Sequence, residues 1–307
     1  MATLPKLLEE TARPHKKRLK EFYDYIHRWR YSIYRQWKSS VNDSFSDEQI
    51  GMAVDRLIGT VLLLEHCKRY EYTDVEVPEY QEIWKNGTLY DLLKKIAGSF
   101  TCPLLQRVFL PSTNDQIPLP FALLDSHFEQ RIRGSVWMLL QDAPVPLWLF
   151  GDYHQLCVAN PQREVWDRKR SSEERYARGI HYTPAPIVDY LTASVLDACF
   201  HTTPKFEPRI LDPSCGCGSF LIASFRYLSQ FQSQENREKR TLDILGQSLF
   251  GVDIDPGAID WTIRLLYLEC KRQLGSRSEE ISPEIVPDIS KNIIVHSFFD
   301  LDHTLPC

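Results

Sequence analysis

The chain has 307 residues, 43% of them hydrophobic, with 36 Lys and Arg against 41 Asp and Glu and a net charge of −5. That length allows one large domain or two ordinary ones, and 25% charged with 12% aromatic residues excludes a disordered, collagen-like or coiled-coil chain. The longest apolar runs, such as Leu57 to Leu64 and Val195 to Phe200, fall far short of the roughly 20 residues that a membrane-spanning helix requires.

The first predicted element is a long amphipathic helix. Leu19, Phe22, Ile26, Ile33 and Trp37 fall near helical spacing, while Lys16, Lys17, Arg18, Lys20, Arg28, Arg30, Arg35 and Lys38 supply a basic outer face. Ser46 or Asp47 caps a second helix through Val54, Leu57, Ile58, Val61 and Leu64, dense enough in apolar residues to be core. From Pro103 to Pro161 recurring prolines predict short helices and loops. The charged stretch Arg163 to Arg178 reads as a solvated connector and places a domain boundary at 172/173. The expected division is a mainly helical domain over 1–172 and an α/β domain over 173–307.

Beyond the connector, helices and strands alternate. Thr183 caps a helix with Pro184 at its first position, running through Ile187, Tyr190, Leu191, Val195 and Leu196. Arg209 to Asp212 is a short strand, Ser219 to about Phe231 a helix, Leu249 to Ile254 a second strand. Asp255 caps a helix beginning at Pro256, and Asn292 to His296 forms a third strand. The alternation implies a parallel, doubly wound sheet.

The chemistry lies in two stretches. In Arg209-Ile-Leu-Asp-Pro-Ser-Cys-Gly-Cys-Gly-Ser-Phe-Leu-Ile, a strand ends in Asp212, a tight turn carries Gly216 and Gly218, and an apolar helix follows. Such glycines let a ligand approach the backbone, and the helix start beyond offers free N–H groups. A dinucleotide fingerprint needs a third glycine where Leu221 stands, and the phosphate-binding GK[ST] ending is missing. An acid before the glycines suits a cationic amino group and not a pyrophosphate. In Leu249-Phe-Gly-Val-Asp-Ile-Asp-Pro, the strand ends in Asp253, placed to accept hydrogen bonds from both hydroxyls of a ribose. An amino acid joined to a nucleoside is the ligand described, and S-adenosylmethionine (SAM) fits it. Eight cysteines show no CxxC pairing, and Cys215 and Cys217 read as small loop residues, so no metal is expected.

The series Gly179-Ile-His-Tyr-Thr-Pro, Asp-Pro-Ser-Cys-Gly-Cys-Gly-Ser-Phe-Leu and Gly-Val-Asp-Ile-Asp-Pro resembles the adenine-N6 DNA methyltransferases of restriction-modification and phage-exclusion systems. The type I methylation subunits and the single-chain type IIG enzymes are the groups it is most similar to. The resemblance implies a Rossmann-like class I SAM-dependent methyltransferase domain with an incomplete sheet, preceded by a mainly helical domain. It places Tyr182, Thr183 and Pro184 over the methionine part of the cofactor. Asp212, Ser214, Gly216 and Gly218 would hold the amino-acid end and Asp253 the ribose, with Ile254 counted in the site. His181 reads as a loop-positioning residue. A weaker likeness to the helical region preceding such domains rests on Asp55-Arg-Leu-Ile through Leu64-Glu-His-Cys-Lys-Arg.

One departure accompanies the match. The family activates the adenine amine with an Asn-Pro-Pro-aromatic segment after the cofactor motifs. The nearest dipeptide here, Asn160-Pro161, continues with Gln162 and Arg163 and precedes those motifs, and after the third strand His296 and Ser297 stand where an acid or amide is usual, with Asp300 a substitute. The resemblance therefore implies the cofactor-binding portion of the enzyme, inactive alone. A partner chain would supply the catalytic half and target recognition, and double-stranded DNA would be the substrate. The alternatives are a non-catalytic interaction or regulatory protein with the cofactor fold, or the product of a truncated gene. The N-terminus has no signal-peptide centre, which implies a cytoplasmic setting.

Overall fold

The computed structural model describes residues 15–41, 44–69, 88–111, 115–118, 150–151, 153–154, 183–202, 207–230 and 236–300. The connector 163–178, His181, Tyr182 and Asn160-Pro161 lie outside them. The chain divides into two compact units, Met1–Ser99 with Phe109–His181, and Phe100–Val108 with Tyr182–Cys307. Among the described residues no helix is long and apolar enough to cross a membrane.

In the first unit, α1 (His15–Ser40) packs on α2 (Asp47–Arg69). Ile26, Trp29, Ile33 and Trp37 recur at spacings of three and four and are all buried, which is the apolar stripe a surface helix needs. Of the basic residues placed on its outer face, Arg28, Arg35 and Lys38 are exposed, but Arg30 is buried and donates through Nε and Nη2 to the two carboxylate oxygens of Asp55 of α2, the Nη2 contact being 2.7 Å. Arg30 lies four residues after buried Ile26 and three before buried Ile33, so it falls on the covered stripe, where the Asp55 carboxylate pairs with it. The side chains of Lys16, Lys17, Arg18 and Lys20 lie outside the description.

The start of α2 is a capping box. The Ser46 hydroxyl accepts the Gln49 N–H at 3.2 Å while the Gln49 side chain accepts the Ser46 N–H at 2.8 Å, so Ser46 and not Asp47 is the cap. α3 (Leu89–Ser99) has the same device in Thr88 and Asp91.

In the second unit, α4 (Pro103–Val108) packs on α8 (Pro256–Leu274), although it precedes the 172/173 boundary in sequence. α5 (Ala185–Thr202) packs along α6 (Ser219–Gln230), burying Val188, Thr192 and Leu196 and leaving Tyr190 and Val195 about 60% exposed. The helix starts one residue after Pro184, whose carbonyl accepts the Val188 N–H at 3.1 Å. α7 (Arg237–Asp243) runs through a π-helical turn into β2 (Leu249–Asp253). The sheet is parallel with order β1-β2-β3, where β1 is Ile210–Asp212 and β3 is Ile293–Val295. Asp212 registers with Gly251, and Asp253 with Val295, so the carboxyl ends of the strands lie side by side. α6 and α8 complete the crossovers and pack on each other, with Leu221, Phe225, Leu265 and Leu266 buried.

Candidate functional site

The carboxyl ends of adjacent parallel strands form the crevice where α/β folds take ligands. β1 ends in Asp212, whose carboxylate accepts the Ser214 N–H at 3.1 Å and so starts the turn. The turn stays tied to β2, the Cys215 N–H donating to the Val252 carbonyl at 2.9 Å. Gly216 and Gly218 have φ of 51° and 76°, the left-handed region where a side chain is strained. A Cβ on Gly218 would also lie 2.7 Å from the Thr262 methyl. The Gly218 carbonyl accepts the Ile222 N–H and opens α6.

Asp253 at the end of β2 binds two turns at once. One carboxylate oxygen accepts the Gly216 N–H at 2.8 Å and the other accepts the Asp255 N–H at 2.9 Å. Each oxygen keeps a lone-pair site for a further donor. Asp255 caps α8 by accepting from Gly257 and Ala258, with Pro256 at the first helical position, as the sequence predicts.

Burial pushes the Asp212 carboxyl above its ordinary range; the charge of Asp253 raises it further, against the lowering hydrogen bond from Ser214. Burial, then the charges of Asp212 and Asp253, push the Cys215 thiol up to about 12. Cys215 is thus a neutral filler at neutral pH and no thiolate ligand or nucleophile. Among the described residues no group of three or more His, Cys, Asp or Glu is placed to hold a metal ion.

The structure thus brings Asp212, Ser214, Gly216, Gly218 and Asp253 onto one loop and strand end. Ile254, directly after Asp253, is 74% exposed. Thr183 and Pro184 lead into α5 of the same unit, and Tyr182 lies outside the described residues. After β3, the His296 N–H donates to the Asp253 carbonyl at 2.9 Å, and Asp300 is exposed at the end of a short turn. Phe299 in that turn is 96% exposed.

Sequence reasoning misses Thr262. It is fully buried on α8, and its hydroxyl donates to the Gly216 carbonyl at 2.7 Å. A threonine inside a helix, 46 residues from the loop it touches, carries no signal in spacing.

Among solved structures the chain is similar to that of a cryo-EM complex of DrdV with DNA, at 14% sequence identity and a TM-score of 0.48. That match covers 96% of this chain and 27% of the other, so the chain spans about a quarter of its neighbour's length. A family model described as N-6 DNA methylase matches residues 167–263, the stretch holding β1, the glycine loop, β2 and the start of α8. Residues 167–263 are therefore similar to the N-6 DNA methylase family, the adenine-N6 DNA methyltransferases that the three motifs also resemble.

Proposed function

We propose that this chain is the cofactor-binding part of a SAM-dependent DNA adenine-N6 methyltransferase of a restriction-modification or phage-defence system. In this reading β1 to β3 belong to a Rossmann-like methyltransferase sheet, and residues 1–172, apart from Phe100–Val108, form a mainly helical domain. The observation that carries the proposal is the pair of carboxylates, Asp212 and Asp253, at the ends of adjacent parallel strands around the Gly216–Gly218 loop. Two carboxylates at one crevice, one of them raised by burial and further by the other's charge, favour a cationic ligand, and SAM carries both an ammonium and a sulfonium group.

SAM would supply the methyl group. Asp212, Ser214 and the glycine loop would hold its amino-acid end. Asp253 would accept from the ribose hydroxyls with its remaining lone pairs, while Ile254 offers an apolar surface to the adenine. Tyr182, Thr183 and Pro184 would cover the methionine part. The 307 residues hold no Asn-Pro-Pro-aromatic segment, so activating the amine and stacking the flipped base fall to another polypeptide segment. The same missing segment favours the second reading, a non-catalytic protein that keeps the cofactor fold for regulation.

Calorimetry of the purified chain with SAM tests the first reading. One-site binding that is weakened in Asp253→Ala supports it, and no heat of binding at millimolar SAM overturns it.

A further inference from the structure

We infer that Thr262 is a positioning residue for the cofactor's amino-acid end, acting by fixing the orientation of the Gly216–Cys217 peptide. The inference rests on the reading of the glycine loop as the SAM site.

Gly216 is held from both sides. Its N–H donates to the Asp253 carboxylate at 2.8 Å, and its carbonyl accepts the Thr262 hydroxyl at 2.7 Å. The contacts come from different elements, β2 and α8, lying 37 and 46 residues away in sequence. The described chain has no cis peptide, and in a trans peptide the C=O and the following N–H point in opposite directions. Drawing the Gly216 carbonyl onto Thr262 therefore turns the Cys217 N–H away from α8. A flip of this peptide would break the Thr262 contact and reverse the dipole of the loop that this reading gives to the amino-acid end.

Threonine suits the task better than serine or valine alone. Its hydroxyl holds Gly216, while its methyl lies 2.7 Å from the place a Gly218 Cβ would take, so the two branches meet loop residues i and i+2. A β-branched side chain in a helix has few χ1 choices, and full burial leaves no water to compete for the hydroxyl.

The test is calorimetry on the 307-residue chain with two ligands: SAM, and 5′-methylthioadenosine, which has the nucleoside but no amino-acid end. Thr262→Val keeps the shape and removes the hydroxyl. It should weaken SAM about fivefold, the worth of one neutral hydrogen bond, and leave methylthioadenosine within twofold. Thr262→Ser restores the hydroxyl and should bind SAM within twofold of the wild type.

Equal SAM binding by wild type and Thr262→Val overturns the inference and leaves the SAM reading standing. Loss of both ligands by one factor also overturns it, since that is a general structural effect. Wild type that binds neither ligand overturns inference and reading together. Should Thr262→Val not fold, Thr262→Ala takes its place: SAM weakened with methylthioadenosine within twofold supports the inference, and SAM unchanged or both ligands weakened by one factor overturns it.

Discussion

The Asp253 carboxylate accepts the Gly216 N–H at 2.8 Å, so the end of β2 holds the loop that follows β1. Its second oxygen accepts the Asp255 N–H, which ties the start of α8 to the same group. One side chain thereby shapes the turn after each of two strands and still offers lone pairs to a ligand.

Replacing Asp253 should therefore do more than remove a ribose contact. Asp253→Ala should lower SAM affinity by about 1.5–3 kcal/mol, the usual value of hydrogen bonds to a charged group, and should also speed amide exchange at Gly216 and Asp255. Calorimetry reads the first effect and hydrogen exchange the second. Unchanged exchange at both amides would show that the carboxylate does not hold the turns.

The raised Asp212 carboxyl gives a pH dependence with a definite sign. Its folded-state pKa stands above the ordinary 3.8, so the native chain binds more protons than the unfolded chain in that window. The stability it contributes is full below 3.8 and is lost as pH rises through the folded value. A cationic ligand favours the carboxylate, so SAM binding should strengthen over the same rise, and Asp212→Asn should flatten that profile. Asp288, held low first by its hydrogen bond with Ser290, works in the opposite sense and loses its contribution as pH falls below 3.8. Calorimetric titrations across this range check the ligand part.

The 307-residue chain, given tritiated SAM and mixed-sequence DNA, should incorporate no more label than a heat-denatured control. No Asn-Pro-Pro-aromatic segment is present to activate the N6 amine or hold the base. Site-specific label in adenine would show that these residues suffice.

In the helical unit, Arg30→Met should destabilise by about 2 kcal/mol, because it leaves the partly buried Asp55 carboxylate without its partner. The double change Arg30→Met with Asp55→Leu should recover much of that loss. Urea unfolding of the three variants checks it, and equal midpoints for wild type and Arg30→Met would show the pair to be without energetic weight.

What was legible in the sequence is local. Asp255-Pro256 announces a helix start, and glycines after Asp212 announce a turn, because cap and φ preferences act within a few residues. The same holds for α3, where Thr88, Asp91 and the spacing of Leu89, Leu92, Leu93 and Ile96 form a complete helix signal in a stretch that the sequence reading passes over. Arg30 and Thr262 are different. A basic residue on an amphipathic helix reads as solvated until a carboxylate from another helix meets it, and a buried threonine has no purpose until the loop it touches is placed. The exposed side chains Tyr190 and Val195 on α5 make the same point, since apolar identity alone does not say which face is covered.

The double hold on Gly216 also orders events in time. During synthesis residues 212–218 emerge first, then Asp253, and then Thr262, because its partners lie 37 and 46 residues further along. A nascent chain cannot shape the loop until α8 has left the ribosome and docked, so the pocket appears in a late, non-local step.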